Sequence, residues 1–124
     1  YLHKVGASFP SPATDYIEYD IDLNSHLITN APATFIIRVQ GKSMTNVGIY
    51  DGDLLIVDKS LDPKNFSTVI ANVNEELVVK TIVKRKGINY LTSGLKNTLD
   101  TISLTDNPEI IIWGVVTYVI HKQQ

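Results

Sequence analysis

Thr68-Val69-Ile70-Ala71-Asn72-Val73-Asn74-Glu75-Glu76-Leu77-Val78-Val79-Lys80-Thr81-Ile82-Val83 reads as two strands about a turn. Branched aliphatic residues dominate Thr68 to Val73 and Leu77 to Val83, and such residues fit a pleated, packed surface. Asn72 to Glu76 supplies the polar residues of the turn. In the second strand Val78, Lys80 and Ile82 share one face, and Leu77, Val79, Thr81 and Val83 share the other. Both faces are largely apolar, which predicts a strand covered on both sides.

The flanking segments extend the same pattern. Phe35 to Val39 is a strand rich in branched and aromatic residues, and Gly41 to Gly48 is a loop. Asp51-Gly52 is a tight-turn pair, followed by the buried-type strand Leu54 to Val57. Asp62-Pro63 predicts another turn, and Gly87 separates the second strand above from a short one over Ile88 to Leu91. Ser93 to Thr98 is polar loop. Ile110 to Ile120 closes the chain as a long or bent strand, with Gly114 at a bulge or kink. That strand carries more apolar surface than one face needs, which fits either a dimer contact or a central core strand. Upstream, Leu23 to Ile28 predicts one or two helical turns capped by Asp22 or Asn24. Ile17, Tyr19, Ile21 and Leu23 alternate with acidic residues as a short edge strand would. Residues 1–16 hold Phe9-Pro10-Ser11-Pro12 and read as a stiff extended arm. The expectation is a mostly β domain over 17–124, built from short, bent antiparallel strands, behind an N-terminal arm over 1–16. No βαβ pattern supports a nucleotide-binding α/β fold.

Composition narrows the function. The chain has 124 residues, enough for one domain with a core that needs no disulfide or metal. Its net charge is −2, so there is no basic excess to hold a nucleic-acid backbone and direct DNA binding is not expected. Lys84-Arg85-Lys86 reads as a solvated strand end. The absence of cysteine removes thiol nucleophiles and cysteine zinc sites and fits a reducing compartment. The three histidines lack ligand spacing, so neither a metal nor a cofactor is expected. Ile110 to Ile120 is too short for a bilayer-crossing helix, which needs about 20 residues. No secretory signal opens the chain, and because its first residue is Tyr1 rather than Met an N-terminal piece is expected to be missing or processed.

Two residues stand out chemically. Ser43 follows a strand and a glycine in Gly41-Lys42-Ser43-Met44, where Gly41 permits close approach by a substrate backbone. Turn N–H groups there suit a developing oxyanion. A serine in that position equally suits a turn cap. Lys80 points into apolar surroundings on either face. A lysine amine is a base only when neutral; its reference pKa is about 10.4, and burial disfavours the charged form. Lys80 is therefore either a general base for a serine nucleophile or an edge lysine that reaches water. A triad of His26, Ser43 and Asp51 or Asp53 competes with this pair, although both aspartates already have a turn role. His3 and His121 lie near the termini.

Taken together, Phe9-Pro10-Ser11-Pro12-Ala13, Asp15-Tyr16, Ile21-Asp22-Leu23-Asn24, Gly41-Lys42-Ser43-Met44, Gly48 to Asp58, the Lys80 strand and Gly114-Val115-Val116 resemble the UmuD/LexA family of self-cleaving proteins. The Phe-Pro-Ser-Pro-Ala start points to its UmuD branch. The resemblance covers about Phe9 to Val119. It implies a LexA/signal-peptidase-like β fold, Ser43 as nucleophile, Lys80 as general base, a homodimer and a cytoplasmic role in the SOS response to DNA damage. It further implies cleavage of the chain's own arm, promoted by a RecA–single-stranded DNA filament, and later service to a UmuC-type error-prone translesion DNA polymerase. The family cuts between a small residue and Gly just before Phe-Pro. Here the matching pair is Ala7-Ser8, with Val5–Gly6 the second choice; Ser8 adds a side chain where close approach is wanted. Three other readings share parts of this pattern. One is a non-cleaving polymerase-binding module. Another is the C-terminal domain of a LexA-type repressor, which needs an upstream helix-turn-helix. The third is a signal peptidase, which needs a membrane anchor.

Overall fold

A computed structural model describes residues 21–42, 44–94 and 101–124. The arm over 1–16, with Ala7 and Ser8, and Ser43 itself lie outside the described residues. Seven antiparallel strands form one sheet in the order β1-β2-β7-β3-β4-β5-β6. In chain order these are β1 (Thr34–Arg38), β2 (Leu54–Asp58), β3 (Thr68–Val73), β4 (Glu76–Arg85), β5 (Ile88–Thr92), β6 (Ile102–Ser103) and β7 (Ile111–Ile120). Among the described residues a short α-helix, α1 (Leu23–Leu27), and a 3-10 turn, Ala31–Ala33, precede them; the cap of α1 is Asp22, whose side chain accepts the Asn24 N–H. Of the alternating run Ile17 to Leu23, the described end is not strand: Leu23 opens α1 because the Asp22 cap starts a helix there.

The turns follow local chemistry. β3 and β4 are joined through Asn74 and Glu75, at φ 52° and 68°, and β4 and β5 through Lys86 and Gly87, at φ 50° and 77°. Positive φ at both central residues is the two-residue geometry whose twist matches the strands it joins. Lys84, Arg85 and Lys86 are solvent-exposed, as a strand end should be. Asp62-Pro63 is not a turn. Ser60, held by the Asp58 carboxylate through both its N–H and its hydroxyl, makes the turn before it. The turn after it is closed by the Ser67 N–H on the Lys64 carbonyl. Asp62-Pro63 only links the two.

Two cores form, one on each face of the sheet. On one, Leu55, Val57, Ile70, Val39, Met44 and Ile49 pack with Phe35, Ile37, Val79 and Trp113. On the other, Val69, Ala71, Ile82, Leu91 and Val115 pack with Val78, Ile102, Leu104, Ile110 and Ile112. β7 is a central strand between β2 and β3. Its pairing shifts between Ile112 and Gly114 against β3, and between Val116 and Tyr118 against β2, leaving Trp113 and Thr117 as extra residues. The first bulge exchanges faces, so Trp113 and Val116 reach the first core while Ile112 and Val115 reach the second. Gly114 sits beside this bulge for want of space: a Cβ there would lie 2.6 Å from Val57 Cγ1.

Candidate functional site

Lys80 lies midway along β4, opposite Val69 of β3. On its other side the β4–β5 ladder ends at Thr81 and Thr92, one rung before Lys80. Among the described residues, no strand pairs that side of Glu76 to Lys80. A cleft of about 400 Å³ runs along this edge, between it and the chain from Ile37 to Gly41. Val39, Gly41, Met44, Ile70, Val79 and Lys80 are among its lining residues. Its walls mix these aliphatic side chains with the polar groups of Arg38, Gln40 and Glu76, and Lys80 is half-buried there.

The two sides of Ser43 are anchored at this cleft. Upstream, Gly41 adopts φ 104°, a left-handed conformation that favours glycine, and its N–H donates to Asp51 Oδ1 at 2.8 Å. Downstream, Met44 is buried in the first core, and its carbonyl accepts the N–H groups of Val47 and Ile49. The Asp51-Gly52 turn is tied to β1 in turn: the Gly52 N–H donates to the Val39 carbonyl, the Val39 N–H to the Asp53 carbonyl, and Arg38 Nη1 to the Gly52 carbonyl.

The Lys80 amine donates to Ser93 Oγ at 2.8 Å. Ser93 follows β5 directly and is 2% exposed. The Thr92 hydroxyl donates to the Gly94 carbonyl and tightens the chain around it. Gly94 faces the Asn46 side chain so closely that a Cβ there would fall 2.0 Å from Asn46 Oδ1. The loop after Met44 and the loop after β5 are therefore in contact.

The two described histidines, His26 and His121, fall elsewhere. His26 packs against Tyr118, with ring centroids 6.5 Å apart, and does not meet Asp51 or Asp53. The histidine at Asp53 is His121, whose Nδ1 lies 2.5 Å from Asp53 Oδ1. Asp53 is buried, and its other oxygen accepts the Tyr50 N–H. Burial raises the Asp53 pKa, but the Tyr50 N–H together with the hydrogen bond and charge of His121 outweigh it and hold the carboxyl below its ordinary value. Asp51 and Asp53 thus act as turn and anchor groups. Sequence reasoning missed the roles of Ser93 and His121. The Ser93 contact was available by counting rungs: a two-residue turn at Lys86-Gly87 pairs Arg85 with Ile88 and reaches Lys80 and Ser93 five rungs later.

The fold is antiparallel β, and a half-buried lysine amine lies in a cleft that Gly41 and Met44 also line. The chain belongs to the Peptidase S24-like family, which matches residues 1–117. Within it, the relatives matched over nearly the whole chain are of the UmuD kind. The chain is 41% identical to the protein ImpA of Escherichia coli over 130 aligned residues, covering 98% of this chain and 82% of ImpA. It is 36% identical to the protein MucA of Escherichia coli over 118 residues, covering 95% of this chain and 80% of MucA. A LexA repressor from Shewanella denitrificans is 38% identical over 90 residues, but the match spans 73% of this chain and only 43% of that repressor. No helix among the described residues is long and apolar enough to cross a membrane.

Proposed function

We propose that this UmuD-like protein cleaves its own N-terminal arm between Ala7 and Ser8, with Ser43 as nucleophile and Lys80 as general base. The arm is residues 1–16 and the peptidase body 17–124. The observation that carries the proposal is that Gly41 and Met44, on either side of Ser43, line the same cleft as Lys80. The arm supplies what the cleft lacks. Leu2 to Ala7 contains no proline, so every residue keeps the N–H needed to add along the unpaired edge of Glu76 to Lys80. The small Ala7 side chain suits the aliphatic wall.

In the reaction, the neutral Lys80 amine takes the Ser43 proton as Oγ attacks the Ala7 carbonyl carbon. Backbone N–H groups of the Ser43 turn hold the oxyanion. The Lys80 ammonium then returns the proton to the Ser8 nitrogen as the Ala7–Ser8 bond breaks, and water clears the acyl-enzyme. Tethering makes the attack effectively unimolecular.

The trimmed protein then acts as a homodimeric accessory subunit of a UmuC-type translesion polymerase in the cytoplasm, with a RecA–single-stranded DNA filament promoting the cut. The near full-length similarity to ImpA, against the partial match to LexA, supports this reading over a repressor domain. Ile36 of β1 and Tyr118 and Ile120 of β7 lie on one face of the sheet and stay exposed at 55%, 40% and 41%, an apolar row suited to a second copy.

The test is intact mass over time at pH 10, using a chain that includes any upstream residues, with Ser43→Ala and Lys80→Ala alongside. Wild type is expected to lose its arm at Ala7–Ser8 and both variants to stay whole. Cleavage should quicken from pH 6 to 10, because only the neutral amine accepts a proton. A cut that persists in Lys80→Ala removes the lysine as base.

A further inference from the structure

We infer that Ser93 is a positioning residue for this reaction, its hydroxyl holding the Lys80 amine in line for proton transfer from Ser43. The inference rests on the self-cleavage reading and adds to it a residue that neither motif nor spacing singled out.

A lysine side chain has four rotatable bonds, and a base on such a stem needs an anchor near its end to keep its lone pair aimed. The neutral amine has one lone pair and two N–H bonds. The lone pair must face the Ser43 hydroxyl, which leaves the N–H groups for orientation. Ser93 Oγ, 2.8 Å from Nζ, accepts one of them. The acceptor is itself fixed: Ser93 is 2% exposed, it continues the β5 backbone, and the bond between Thr92 and the Gly94 carbonyl braces its turn. Asn46, on the loop after Met44, packs against Gly94, so that loop and the Ser93 turn are in contact. Once the amine takes the Ser43 proton, the bond to Ser93 persists as a charge-assisted one. Ser93 neither gains nor loses a proton in any step.

The same contact raises a rival, in which Ser93 is itself the nucleophile, being the hydroxyl that touches Lys80. Burial argues against it. A nucleophile must meet a peptide carbonyl at about 3 Å, and Ser93 is enclosed between the end of β5 and the Gly94 turn.

The experiment compares self-cleavage rates of wild type, Ser43→Ala, Ser93→Ala and Ser93→Thr at pH 10, with the melting temperature of each. Ser93→Ala is expected to cleave about tenfold more slowly with an unchanged melting temperature, a fraction of the roughly 10²–10⁴ that general-base catalysis supplies. Ser93→Thr, which keeps the hydroxyl, should recover most of that loss, whereas a purely structural role would leave both variants slow. Ser93→Ala at the wild-type rate, or Ser93→Ala and Ser93→Thr equally slow, overturns the positioning role while self-cleavage stands. Abolition in Ser93→Ala with cleavage retained in Ser43→Ala overturns it in favour of Ser93 as nucleophile. Wild type that never cuts overturns the self-cleavage reading and this role with it.

Discussion

Replacing Asp51 with alanine removes the carboxylate that accepts the Gly41 N–H at 2.8 Å, two residues before Ser43. A hydrogen bond to a charged acceptor is worth about 1.5–3 kcal/mol when protected. Both Asp51 and Gly41 are exposed, so water replaces much of the lost bond, and about 1 kcal/mol is a better figure for this pair. If the bond serves to hold the loop in its reactive shape, that energy appears in the barrier, and at 1.4 kcal/mol per decade the rate falls about fivefold. The fold has other supports. The Asp51-Gly52 turn keeps its backbone bonds to Val39 and its bond from Arg38, so the melting temperature should fall by only a few degrees, roughly 3–5 °C per kcal/mol for a chain this long. The assay is intact-mass kinetics at pH 10 beside a thermal melt. Wild-type cleavage by Asp51→Ala would refute the reasoning, since Gly41 would then need no side-chain support.

Three further outcomes follow from the packing. Gly114→Ala forces a methyl to 2.6 Å from Val57 Cγ1 and 3.4 Å from the Asp58 carbonyl oxygen; with Val57 wholly buried, it should cost about 1–3 kcal/mol, read as a lower urea midpoint at unchanged slope. Asp53 has a folded pKa below its unfolded value of about 3.9, so its stabilisation is present above that value and is lost as pH falls through the folded pKa. Asp53→Asn should therefore melt lower than wild type at pH 7, with the gap closing below about pH 4; a gap constant with pH would point to packing instead. His121→Ala removes the histidine's part of the same stabilisation, so it should narrow the pH dependence of melting without abolishing it, because the Tyr50 N–H remains on Asp53.

Much of the strand order of events was readable from the chain because two signals act locally. Alternation in Leu77 to Val83 predicted a strand covered on both faces, and this holds for Thr81 to Val83, whereas Leu77 is 49% exposed. Asp51-Gly52 marked a real turn. Asp62-Pro63 misled because a proline fixes its own φ without deciding where the chain reverses; Asp58 and Ser67 supply the side-chain acceptors that do. The two-residue strand β6 escaped notice since Ile102-Ser103 is too short to show a period. At the site, Lys80 was visible as a charge in an apolar strand. Its partner Ser93 was not, because a hydroxyl in a polar loop carries no local signal and only the hairpin register connects the two. His121 was missed for a different reason: nearness to a terminus says nothing about pairing when the preceding strand is central and delivers the residue to a buried carboxylate.

The described body already holds the Lys80 amine on a buried hydroxyl, and its cleft is lined by residues fixed to the sheet or to the Asp51 turn. In the proposed self-cleavage, control then falls on how often the arm docks. Its rate is then the rate of the docked form multiplied by the fraction docked. If about 1% of molecules are docked, a promoter that binds the docked form can speed cleavage at most about 100-fold, whereas one that binds docked and undocked forms alike changes nothing. Ser8, at the proposed cut, bears on that fraction: its side chain restricts the backbone more than a glycine would. Ser8→Gly should therefore raise unassisted cleavage at pH 10 and shrink the benefit of a promoter by the same factor. A variant that gains in both would place the effect of Ser8 on the chemical step and not on docking.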